Sequence, residues 1–91
     1  MSVYEEHELK KIYVNSQVDR FYDGRRVLLK EMIRELYISD RDIILGLKLD
    51  HLDRAFSKYR VAREKTCIEN PKQYFKACIL SAIKEIWLDD D

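Results

Sequence analysis

Apolar residues recur at Phe75, Ile79, Ile83 and Trp87, four apart each time, with Tyr74, Cys78, Ala82 and Ile86 beside them. Residues three and four apart share a helix face, so this is one broad apolar stripe. Asn70 suits a helix cap, Pro71 a first helical position, and Gln73 completes a capping pattern, which predicts a helix opening at Pro71. Upstream, Leu29, Met32, Ile33 and Leu36 predict a helix over 25–37. Leu52, Ala55, Phe56, Tyr59 and Ala62 predict another, opened by Asp50 with Asp53. Between these, Ser39 with Asp42 predicts a short apolar helix over 43–47, weakened by Gly46. The N-terminal part is less regular. Ser2 with Glu5 opens a helix at Val3, but Leu9, Ile12 and Tyr13 face one way and Val14, Val18 and Phe21 another. Asn15 and Ser16 therefore read as a break, Ser16 with Asp19 as a second start, and Asp23 with Gly24 as the stop. Residues 66–69 form a connector. Together these signals predict an all-α protein, a compact bundle of about five or six short helices joined by short loops.

Composition agrees with that picture. Ninety-one residues make one domain, 1–91, and only 2 Gly and 1 Pro argue against a turn-rich sheet protein. The apolar content of 46% is ample for a core and argues against disorder. Two cysteines, Cys67 and Cys78, form no disulfide framework and read as small buried hydrophobes. With no signal peptide or membrane span in the pattern, a cytoplasmic protein is expected.

Charge changes the picture through its placement. Lys and Arg total 17 against 17 Asp and Glu, so no net charge draws the chain to nucleic acid. Locally, Arg54, Lys58, Arg60, Arg63 and Lys65 stand against Glu64 alone. On an ideal helix Arg54, Lys58 and Lys65 fall within about 40° of one another, opposite the apolar stripe, with Arg60 and Arg63 flanking them. Such a row could meet DNA phosphates weakly and without sequence preference, or simply be a solvated face. Both termini are acidic.

Catalytic chemistry has no comparable signal. His7 and His51 have no ligand-like spacing to a cysteine, and no phosphate loop or nucleophile motif is present. Asp50 and Asp53 are better explained as helix starters. The expectation is a protein that is not an enzyme and carries no cofactor or metal. On the last helix, Phe75, Ile79 and Ile83 read first as core. Trp87, near the chain end, suits an interface, because a Trp buries large area at little entropic cost.

The run from His51 through Ala82 resembles the C-terminal domain of plasmid replication initiators, within the DnaD-like group of replication-initiation proteins. Ile68, Asn70 and Tyr74 match the family phrase Ile-x-Asn-x-x-x-Tyr. Ile83 and Trp87 match the second and third positions of its Tyr-x-x-x-Ile-x-x-x-Trp, while Ile79 replaces the tyrosine. The likeness spans roughly 25–88, leaving 1–24 as an N-terminal helical extension. It implies an all-helical domain without a catalytic site, linked to DNA and to other replication proteins. The winged-helix domain that precedes it in those initiators is not part of this sequence, so an excised domain or a small stand-alone relative is expected.

The leading expectation is thus a replication accessory domain. It would touch DNA through Arg54, Lys58, Arg60, Arg63 and Lys65, and a replication protein through Tyr74, Ile83 and Trp87. The alternative is a small regulator from a phage or mobile element that binds a host protein and no DNA. A homodimer is also expected, through the second apolar face of the N-terminal segment.

Overall fold

The computed structural model describes residues 2–89, with side chains described through Glu85. In chain order it holds α1 (Val3–Ser16), a 3-10 turn (Val18–Arg20), α2 (Asp23–Ser39), α3 (Arg41–Ile44), α4 (Leu49–Lys65) and α5 (Pro71–Asp89). The all-α bundle read from the sequence is what the chain forms.

Several boundaries fall where the cap chemistry puts them. Ser2 Oγ accepts the Glu5 N–H at 3.2 Å, and Glu5 Oε1 accepts the Ser2 N–H at 3.2 Å. Asn70 Oδ1 accepts the Gln73 N–H at 3.2 Å and fixes the start of α5.

Other boundaries depart from the sequence reading, each for a local reason. Ser16 ends α1 and starts nothing: it is fully buried, and its hydroxyl donates back to the Ile12 carbonyl at 2.7 Å. The next residue, Gln17, takes the left-handed conformation (φ 56°) and caps α1 by donating to the Tyr13 and Val14 carbonyls. The Ser16–Asp19 start therefore yields only the short 3-10 turn. Asp23 and Gly24 open α2; they do not stop the preceding segment. The Asp23 carboxylate sits in the first turn, where a helix end favours negative charge, and pairs with Arg26 at 2.7 Å. Ser39 is the last residue of α2, and α3 comprises residues 41–44 in place of the expected 43–47. Asp50 lies inside α4. The start there is set by His51, whose Nδ1 accepts the Lys48 N–H at 2.9 Å.

One core joins all the helices. Leu9 and Ile12 come from α1, Leu29, Ile33 and Leu36 from α2, and Ile44 from α3. Leu52 and Ala55 come from α4, and Phe75, Ile79 and Ile83 from α5. Burying each Leu or Ile side chain stabilises the fold by roughly 1.5–3 kcal/mol. Polar ties fix how the helices meet. The Tyr37 hydroxyl, from a fully buried ring, donates to Glu8 at 2.7 Å, and the Tyr13 hydroxyl donates to the Lys30 carbonyl at 3.2 Å. Arg41 pairs with Glu5 at 2.5 Å and lies 4.5 Å from the Tyr37 ring centre. Leu9, Ile12 and Val18, which precede residue 25, therefore share one core with the helices that follow. No helix among the described residues is long and apolar enough to cross a membrane.

Candidate functional site

The bundle leaves a groove of about 670 Å³ between α2, α4 and the start of α5. Each wall comes from residues spaced three or four apart. On α2 these are Arg25, Leu28, Leu29 and Met32; on α4 they are Phe56, Tyr59, Arg60 and Arg63. Asn70, just before α5, and Pro71, Lys72 and Phe75 of α5 close it.

Phe56, Tyr59 and Phe75 form an aromatic floor, and Phe21 continues the row beyond the groove. Phe21 meets Phe56 with ring centres 5.5 Å apart, Phe56 meets Phe75 at 4.8 Å, and Phe75 meets Tyr59 edge-on at 5.6 Å. Tilted and edge-on contacts of this kind favour aromatic pairs beyond the area they bury. Leu28 stands beside the row, 46% exposed.

The rim is cationic. Arg25 lies over the Phe56 ring, its guanidinium carbon 4.8 Å from the ring centre. Arg60 and Arg63 are exposed, and none of the three makes an ion pair among the described residues. Lys72 differs: its ammonium meets Glu31 at 2.7 Å and Glu35 at 2.9 Å. Those carboxylates raise its pKa, Glu31 first, and Lys72 in turn holds Glu35 below the ordinary carboxylate value. Among the described residues, no acidic side chain lines the groove.

The five cations singled out from the sequence do not form one surface. Arg54 and Lys58 turn toward α5, where both meet Glu85, Arg54 at 3.6 Å. The Lys58 ammonium donates to Glu85 and is the main reason that the Glu85 carboxyl titrates below its usual value. Lys58 and Lys65 border a second groove, between α4 and α5, whose lining includes Val61, Tyr74 and Ala77. Arg60 and Arg63 line the first groove instead. The spacing already held this division: relative to Arg54, Arg60 and Arg63 fall about 240° and 180° around an ideal helix, beside Phe56 and Tyr59. Arg25 and Leu28 carried no such signal, because only the packing of α2 on α4 brings them to the same groove.

The partner residues read from the last helix also separate. Tyr74 is 41% exposed, whereas Ile83 is at 0% and belongs to the core, which withdraws it from any contact surface. The Trp87 side chain lies outside the described residues. Cys78 is buried, and burial pushes its thiol pKa up; Cys67 is exposed in the connector, contrary to the expectation that both would be buried. No group of His, Cys, Asp and Glu among the described residues could hold a metal ion. No protein-family model matches this chain, and neither a curated protein nor a solved structure matches it. The likeness to DnaD-like domains therefore rests on the short phrases quoted from the sequence.

Proposed function

We propose that this chain is a non-enzymatic recognition domain that docks a partner protein in the groove between α2, α4 and α5. The observation that carries the reading is the trio of Arg25, Arg60 and Arg63, without ion pairs among the described residues, above an apolar floor. Several surface cations elsewhere on the molecule meet carboxylates, Arg26, Lys30, Arg41 and Lys58 among them, whereas these three, unpaired among the described residues, gather around one groove. Apolar anchoring combined with a charged rim is the usual anatomy of a protein-binding patch. Either a replication protein, as the DnaD-like resemblance implies, or a host protein targeted by a mobile element fits that role.

A second reading, weak DNA-phosphate contact, draws on Arg60, Arg63 and Lys65, exposed toward the end of α4. The two readings separate in one capture experiment. The whole chain is immobilised and exposed to nuclease-treated extract of the cells that carry it. Docking predicts a retained protein that is lost with Arg25→Glu plus Arg60→Glu and kept with Val14→Glu, on a distant exposed face of α1. Equal retention by all three chains overturns the docking reading. Binding that appears only when nucleic acid is present, and falls steeply with salt, establishes the second.

A further inference from the structure

We propose that the groove receives one amphipathic, acidic α-helix of the partner, its bulky apolar residues on the floor and its carboxylates at the arginine rim. The inference rests on the docking role proposed above and specifies its chemistry.

Helicity follows from main-chain hydrogen bonding. The walls are helices, whose backbone groups bond within themselves, and no strand edge exists among the described residues. An extended segment laid across Leu28, Phe56 and Tyr59 would find no strand edge to pair with, and its N–H and C=O groups turned to the floor would face apolar side chains. A helix satisfies those groups internally and presents anchors at i, i+3 or i+4, and i+7.

Acidity follows from the rim. Covering Arg25, Arg60 and Arg63 strips water from three guanidinium groups that have no ion pair among the described residues, and an unpaired buried charge is strongly unfavourable. The occupant must bring carboxylates. Lys72 makes no such demand, because Glu31 and Glu35 already hold it. A nucleic-acid duplex suits the site less well. Its hydrated phosphates would satisfy the rim but leave Leu28, 46% exposed, facing water.

The test titrates the whole chain into dye-labelled helical peptides of about 18 residues, long enough for five turns. They carry Leu or Trp anchors in both spacings, with Glu at the flanking positions. Fluorescence anisotropy should show saturable binding of at least one peptide. Arg60→Glu with Arg63→Glu should weaken it about tenfold or more, and Leu28→Asp should do the same. Replacing Glu by Lys in that peptide should abolish binding to the natural chain and restore it to the Arg60→Glu, Arg63→Glu chain. Such a rescue requires a folded protein, and circular-dichroism melts of each variant check the fold separately. The proposal is overturned if no peptide binds or if the Lys peptide binds the natural chain equally well. It is also overturned if a DNA duplex of about 20 base pairs binds through the same arginines and displaces the peptide. A photo-crosslinking residue at position 28 separates the two levels. A cellular partner captured there and lost with Arg60→Glu plus Arg63→Glu, when no peptide binds, keeps the docking role and discards the acidic helix. Absence of both discards both.

Discussion

His51 is 5% exposed, and its Nδ1 must be unprotonated to accept the Lys48 N–H that starts α4. Burial is the main cause that holds its pKa below 6.5; nearby Lys48 and Arg54 add to this, and Asp50 opposes it. The unfolded chain therefore takes up this proton more readily than the folded one. The stability supplied by the neutral ring is complete above pH 6.5 and is lost as pH falls through that value toward the depressed folded pKa. Urea titrations should show stability falling as pH descends through this window, and His51→Gln should flatten the dependence. Glu5, Glu35 and Glu85 titrate below 4.5, so their contribution disappears in a separate, more acidic window. Residues 74 and 83 make a second pair of expectations. Ile83→Ala opens a cavity in the core and should cost about 2–5 kcal/mol. Tyr74→Ala, at a 41% exposed position, should cost about 1 kcal/mol or less. The reverse order in denaturant melts would show that Ile83 is not a core anchor.

At the scale of elements, Gln17 is the one non-glycine residue with positive φ among the described residues. An L side chain is disfavoured there, whereas glycine adopts the conformation freely. Gln17→Gly should therefore raise stability by about 0.5–1 kcal/mol, visible as a higher melting temperature, although it gives up an exposed hydrogen bond from Arg20. The α4–α5 contact carries the Lys58–Glu85 pair, with side chains 34% and 40% exposed. Solvent screening limits such a pair, so a double-mutant cycle of Lys58→Ala and Glu85→Ala should give a coupling of about 0.2–1 kcal/mol.

For the whole molecule, α1 decides whether 25–88 can stand alone. Leu9 and Ile12 join the same core as Ile33, Leu52 and Ile79, and Val18 is fully buried beside them. Deleting residues 1–22 would expose that face of the core and leave the Tyr37 hydroxyl without Glu8. The truncated chain should lose its cooperative melt and sharp side-chain NMR signals; retention of both would show that residues 23–91 fold without α1. The outward face of α1 holds Val3, Tyr4 and Val14, each 71% exposed. A homodimer built on α1 would bury them, and a light-scattering mass that stays monomeric across concentration and is unchanged by Val14→Glu rules that dimer out.

Periodicity by itself determined the helical class, the stripes of the helices around Leu29 and Phe75, and the caps at Ser2 and Asn70, because each depends on residues within one or two turns of each other. The starts read from Ser16 with Asp19 and from Asp50 with Asp53 did not survive. At Ser16, burial turned the hydroxyl back onto the Ile12 carbonyl, and at Asp50 the ring of His51 took the cap. The basic run between 54 and 65 was legible as residues but not as a surface. Helix–helix packing decided that Lys58 meets Glu85, 27 positions away, while Arg60 and Arg63 join Arg25 around the aromatic floor. One-dimensional spacing reports which side of a helix a residue occupies. Only the tertiary structure decides what stands opposite that side, and here that separates a cation neutralised within the fold from one left facing a groove.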